Sequence, residues 1–404
     1  MLEAQQNEHQ VLKIDIRGNI TKFAMVIEMA GIFLLFQILT DGVFLSSLNL
    51  SNLLLQGCTF SILGIGMVWV MVSGGIDLSA GAVLGFLANF AAVLQTQHNL
   101  GTTPTILFTL IIGTLIGCWN GYWIAYRRIP AFIATLAGQL IFKGLTLLIG
   151  EGKAQGPVSD SFAQMGRGFL LNSASIIFVV LTMCLFVAYT LKKRLSQKSY
   201  GLPVLSVRLE SFKIVVVVGL SILLLVVLLE YKGIPYAIVL LFLLAAMFTF
   251  LSQSTTLGRS IYALGSNRDA ARLAGINIPR TEMIVYAFMG LITAIASIVF
   301  LGRVGQATAM VGQSFEFSAI TGCIVGGTST LGGSGTVIGA IIGTMMMASL
   351  ENGMSLMNLD STFQYIVKGA VLLIAVSIDI SSCSLWLKMR LSMAWQIFLR
   401  AERF

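Results

Sequence analysis

Apolar runs of nearly bilayer-spanning length recur along this chain, at roughly 24–40, 53–73, 78–96, 105–126, 131–150, 173–191, 212–230, 236–251, 283–301, 317–330, 335–350 and 363–380. A hydrocarbon core about 30 Å thick takes roughly 20 residues of helix, and only structures that satisfy their own backbone hydrogen bonds survive there. Charged residues make up 10% of the 404 and hydrophobic ones 56%. Soluble domains carry about 25% charge, so no water-soluble globule could hide this surface. Outer-membrane barrels use short alternating segments instead. The fold expected is an all-α polytopic membrane bundle of about 10–12 transmembrane helices. The runs 317–330 and 335–350 are short, and read as half-helices or a re-entrant turn.

Three regions follow. Residues 1–22 are polar and of mixed charge, without the order of a cleaved signal peptide. Residues 23–380 hold the spans, with a polar loop at about 252–282. Residues 381–404 mix Trp386 and Trp395 with Lys388, Arg390, Arg400 and Arg403, the pattern of an amphipathic helix on a membrane surface. Lys and Arg set the orientation, since cytoplasmic loops hold the excess. Counting twelve crossings, Lys13, Arg17, Lys22, Arg127, Arg128, Lys192, Lys193, Arg194, Arg259, Arg268, Arg272 and Arg280 fall on one side. The opposite loops hold only Lys153, Arg167, Lys232 and Arg303. Both termini are therefore expected in the cytoplasm.

The same distribution accounts for the net charge of +8 and argues against nucleic acid. The five cysteines contain no C-x-x-C pair, and the two histidines have no ligand partner at metal spacing. Four cysteines lie within apolar runs and are expected as small buried residues. No phosphate-binding loop is present: Gly152-Lys153 is followed by Ala154 and has Leu147 where the upstream glycine should stand. No nucleophile set or dinucleotide fingerprint is visible either. No cofactor is expected on this chain, and it is not read as an enzyme.

Ionisable residues inside or beside apolar runs are costly and become functional candidates. They are Glu28, Asp77, Lys143, Glu316 and Lys368, with Asp77 expected to cap a helix start. Two stretches resemble each other: Gly74-Gly75-Ile76-Asp77-Leu78-Ser79-Ala80-Gly81-Ala82-Val83-Leu84-Gly85, and Gly326-Gly327-Thr328-Ser329-Thr330-Leu331-Gly332-Gly333-Ser334-Gly335-Thr336-Val337-Ile338-Gly339. In each, an apolar run breaks at a small-residue turn and restarts, as in the paired broken helices of transporters. Asp77, Ser79, Gly81, Gly326, Gly327, Ser329, Gly333 and Gly335 are the candidates for the broken helices or a translocation path. In the polar loop, Ser266 followed by Asp269 is expected to cap a short helix at about 268–274. Gly275 should end it, and Pro279 should prevent its resumption. Its Ala270, Ala271 and Ala274 would suit docking into a partner's groove.

These motifs together resemble the sugar and branched-chain amino-acid ABC permease family, from about Thr40 to Asp379. The resemblance rests on Gly66-Met67 through Gly75-Ile76-Asp77-Leu78-Ser79-Ala80-Gly81, on Ile129-Pro130-Ala131-Phe132-Ile133-Ala134-Thr135-Leu136, on Ala263 to Ile276, and on Gly326 to Gly335. Length at about 173–235 and the run Leu350 to Ser355 bring it nearest to xylose and multiple-monosaccharide permeases. Gly74-Gly75 and the long tail depart from the family pattern. The resemblance implies a type II ABC importer-like permease in a bacterial inner membrane that carries a monosaccharide, and a loop coupling it to the ATPase through Arg259, Gly265, Asn267, Ala270, Ala271, Arg272, Ala274, Gly275 and Ile276. It further implies a cytoplasmic ATP-binding subunit holding ATP and Mg, a periplasmic sugar-binding protein, a second permease copy and a sugar path along the interface between copies. Branched-chain amino acids as substrate, or a secondary carrier, are the alternatives.

Overall fold

Each of the twelve apolar runs coincides with a helix in the computed structural model, which describes residues 25, 27–202, 204 and 206–401, with side chains through 381. The helices are α1 (Ile27–Leu39), α2 (Ser47–Val72), α3 (Ala80–Thr96), α4 (Thr102–Gly121, continued by a π-helical turn Tyr122–Tyr126), α5 (Ala131–Gly150), α6 (Asp160–Arg167), α7 (Asn172–Ser199), α8 (Val207–Leu229), α9 (Tyr236–Ser254), α10 (Thr256–Ser266), α11 (Arg268–Leu273), α12 (Ile278–Val304), α13 (Phe315–Val325), α14 (Val337–Leu356) and α15 (Ser361–Ala401). Among the described residues nine helices are long and apolar enough to cross a membrane, and α1, α3 and α13 are shorter apolar helices. The pair expected to be short divides unequally. Only α13 is a half-length helix, of 11 residues, while α14 runs for 20.

The bundle is built around α2, whose most apolar window is 89% buried, with α12 and α14 at 72%. Lipid tails are as apolar as leucine, so helices associate there by close packing of small residues and by hydrogen bonds. On α4, Gly113 and Gly117 sit one turn apart and meet Gly290 of α12. Any side chain at Gly290 would strike the Gly113 carbonyl. Buried polar pairs add direction. Asn49 of α2 and Asn352 of α14 exchange amide hydrogen bonds of 2.9 and 3.0 Å. The Trp69 indole N–H donates to Ser252 Oγ of α9 at 2.7 Å.

Lys368 of α15 pairs with Glu351 of α14 at 2.6 Å, and that carboxylate also accepts from Ser318 and Gln56. A buried charge is tolerated when paired and fully hydrogen-bonded. At the periphery, α8 is only 6% buried in its apolar window. Cys58 and Cys323 are buried as expected, but Cys118 is only half-buried on α4 and Cys184 is exposed on α7. Its apolar run faces outward rather than into the bundle, and Cys383 lies outside the described side chains.

At one end of the bundle, α6 lies against α12, with Gly166 touching Gly302. Isolated bridges join Gln155 to Ala307 and Phe169 to Pro235 there. The opposite end carries α10 and α11. The 1–22 segment lies outside the described residues, and so do the side chains of the expected 381–404 tail from residue 382 onward.

Candidate functional site

The two small-residue breaks singled out in the sequence meet each other and the polar loop. The first begins where α2 ends: Gly74 N–H bonds to Met71 O and Gly75 N–H to Val70 O, with Gly74 at φ +87°. Beyond it Asp77, 3% exposed, accepts from Ser79 N–H at 2.8 Å and from Ser79 Oγ at 2.6 Å. Asp77 thus fastens the turn that launches α3, and Asn120 of α4 donates to Ser79 Oγ at 2.9 Å. The second break follows α13. Gly326 packs on Gly339 of α14, Gly327 stands in open space, and Ser329 N–H bonds to Ser334 O. Thr330 binds Asp379 of α15 through its N–H and hydroxyl.

The polar loop holds two helices rather than one. Thr255 caps α10 through Gly258 N–H, and Ile261 and Leu264 are buried beneath it. The spacing of Leu257, Ile261 and Leu264 is the helical period that would have revealed this helix. Asn267, not Ser266, caps α11, accepting from Asp269 N–H at 3.0 Å and Ala270 N–H at 2.9 Å. Asn267 is extended, as a cap must be, whereas Ser266 still belongs to α10. Gly275 ends the turn at φ +81°. Pro279 does not hold the chain out of helix. It sits in the first turn of α12, where a missing N–H costs nothing, behind the cap Asn277.

Gly265, at the end of α10, lies directly on the Val72 carbonyl, and a Cβ there would be 2.7 Å from Gly333 N. Gly333 N–H in turn donates to Val72 O at 2.9 Å. A Cβ on Gly332 would stand 3.0 Å from Gly265 O and 3.1 Å from Gly74 Cα. The Tyr262 hydroxyl donates to Gly335 O at 2.8 Å. Burial pushes that phenol above its ordinary value, so it remains a donor. α11 is tied to α12 by Arg268, whose guanidinium grips Glu282 with bonds of 2.5 and 3.1 Å. A cavity of about 370 Å³ opens alongside, lined by Gly74, Gly75, Arg128, Arg272, Glu282 and Tyr286 among others.

The structure therefore collects Gly265, Gly333 and Gly335 in one junction. Asp77, Ser79 and Gly81 lie apart from it, where Gly81 packs against Glu316. On α11, Ala271 is buried while Ala270, Arg272, Ala274 and Gly275 face outward; Ile276 is half-buried and Arg259 exposed. Ala271 thus belongs to the inner contact, not to the small-residue face expected for docking. Sequence reasoning missed Leu273, 89% exposed, a large apolar side chain at the tip of a polar loop. It also missed Glu282, Tyr262 and Gln139, none of which carries a local signal.

A family profile described as the permease component of the branched-chain amino acid transport system matches residues 49–376. The chain is 39% identical over 364 residues to the xylose transport system permease protein of Haemophilus influenzae, covering 90% of this chain and 97% of that protein. It is 40% identical over 368 residues to the xylose transport system permease protein of Escherichia coli, covering 89% and 92%. The ribose import permease protein of Haemophilus influenzae is 29% identical over 343 residues, covering 83% and 86%. No solved structure matches.

Proposed function

The chain belongs to the family of branched-chain amino acid transport system permease components, and on that premise we propose that it is the membrane-spanning subunit of an ATP-driven, binding-protein-dependent importer of a monosaccharide, xylose. Its near-full-length similarity to xylose permeases supports the substrate. The importer works in a bacterial inner membrane. Loops rich in Lys and Arg support placing the α10–α11 end and both termini in the cytoplasm. A cytoplasmic subunit binds and hydrolyses ATP with Mg, a periplasmic protein delivers the sugar, and a second copy of this chain completes the pathway.

One observation carries the mechanism: α10 ends on both glycine turns at once. A partner closing on ATP would push on Ala270, Arg272 and Leu273, the outward face of α11. Interfaces packed this closely shift between discrete arrangements rather than deforming gradually. The push passes through Gly265 to the end of α2 and to the turn between α13 and α14, and through Arg268 and Glu282 to α12. Binding-protein-stimulated ATPase of the assembled complex in nanodiscs tests this, with Ala270→Glu against wild type. Stimulation by xylose-loaded binding protein that is lost in the variant supports the reading. A wild-type chain that neither binds an ATPase nor changes its activity overturns it.

A further inference from the structure

A second cavity shares no lining residue with the one beside the glycine junction. It measures about 240 Å³ and is lined by Gln139, Lys143 and Thr146 of α5, by Gln313, and by Glu316 and Phe317 of α13, among others. Gln139 is the ninth residue of α5, so it stands about 12 Å along that helix at 1.5 Å per residue, deep in the apolar zone. Three of these residues, with Thr135, form a polar stripe along an otherwise apolar helix: Thr135, Gln139 and Lys143 at intervals of four, then Thr146. Thr135 Oγ1 donates to Ile76 O at 3.3 Å, so the stripe runs from the first break toward the cavity.

Glu316 is the anomaly. It is 2% exposed. Oε1 accepts from Gln139 Nε2 at 3.0 Å, and Oε2, buried against Gly81, has no hydrogen-bond partner among the described residues. The same bundle gives partners to its other buried carboxylates: Glu351 has Lys368, Ser318 and Gln56, Asp77 has Ser79 and Glu282 has Arg268. Lys143, an exposed side chain, lines the cavity with Glu316 yet forms no ion pair with it or with any described residue. An intramembrane carboxylate left half-satisfied beside an unpaired ammonium is not explained by packing.

We infer that this cavity is a way station for a single sugar ring, in which Glu316 accepts from ring hydroxyls, Lys143 and Gln139 bind the remaining hydroxyl oxygens, and Phe317 lies against the C–H face. The inference rests on the importer reading and deepens it. Several features favour a sugar over other ligands. The volume lies just below the roughly 300–1,000 Å³ of drug-sized ligand sites, the scale of one monosaccharide. Neighbouring hydroxyls both donate and accept, matching a carboxylate and an ammonium set in one wall. A metal is disfavoured, since no group of three or more His, Cys, Asp or Glu that could hold one occurs among the described residues. Phe317 is 38% exposed, available for the stacking contact.

Saturation-transfer NMR of free xylose with the full chain in nanodiscs tests the site, with leucine as the competing small solute. The expected result is transfer to xylose with wild type, reduced at least ten-fold in Glu316→Gln and in Lys143→Met. A misfolded variant is guarded against by Gln313→Cys in a chain whose five natural cysteines are replaced by serine. There Glu316 is intact, and xylose should slow maleimide labelling several-fold. Equal transfer with wild type and variants, absence of protection, or transfer to leucine instead of xylose each overturn the sugar site. Uptake by the wild-type importer reconstituted with its ATPase and binding protein separates the two failures. If it takes up xylose while both binding assays are negative, the cavity inference fails alone. If it takes up no monosaccharide, the importer reading fails and the sugar site with it.

Discussion

Replacing Gly265 by alanine tests the junction directly. The new Cβ would sit 2.7 Å from Gly333 N and closer still to the Val72 carbonyl. Ordinary contact begins near 3.4 Å, so α10 must back away by at least 0.7 Å from the amide and further from the carbonyl. Both obstacles are backbone and cannot swing aside as a side chain can. Overpacking of this kind costs about 1–3 kcal/mol, and opening the gap threatens the Gly333 N–H to Val72 O bond, about 0.5–1.5 kcal/mol more. The helix propensity of alanine returns about 1 kcal/mol. The net expectation is destabilisation of about 1–3 kcal/mol, with a larger effect on transmission, because the displaced surface is the one through which α10 pushes. Gly144→Ala is the control: Gly144 lies inside α5 with nothing within 4 Å, so only the propensity gain applies. Thermal unfolding in nanodiscs and binding-protein-stimulated ATPase of the complex are the two assays. A Gly265→Ala chain that melts with Gly144→Ala and couples like wild type refutes the junction argument.

Two further outcomes follow from side chains. Glu351→Gln or Lys368→Met alone leaves a buried charge without its partner and should destabilise by about 3–5 kcal/mol. The double variant should recover much of that, as a double-mutant cycle on unfolding would register; additive losses would sink the pairing. Leu273→Glu should leave the melting temperature unchanged, since the side chain is 89% exposed, while weakening the affinity for the ATPase subunit in a pull-down titration. An unchanged affinity would remove Leu273 from the docking face.

The helices were legible because lipid enforces them: an apolar run of span length has few other fates. The division of labour between α13 and α14 was harder to read, since both runs are similarly apolar and only the glycine turn decides where helix resumes. Around α11 the local signals were present but assigned one residue away. Asn267 and Ser266 are both good caps, and Pro279 both ends and begins helices. The junction itself could be suspected from two similar breaks but not placed, because contacts among Val72, Gly265 and Gly333 join segments remote in sequence. Glu316 was visible as a costly charge, but its partner Gln139 is 177 residues away.

The buried station of α2 bears on how the protein is made. Its polar groups find their partners late: Asn49 meets Asn352 across 303 residues, and Ser61 meets Thr344 across 283. At roughly 5–20 residues per second, a ribosome needs roughly 15–60 s to bring Asn352 out after Asn49. Throughout that interval the second helix to enter the bilayer carries amides and hydroxyls that lipid cannot satisfy. Biogenesis therefore runs against the geometry of the finished bundle. The central helix is synthesised early and completed last, and a nascent chain stopped before α14 presents the insertion machinery with an open polar seam.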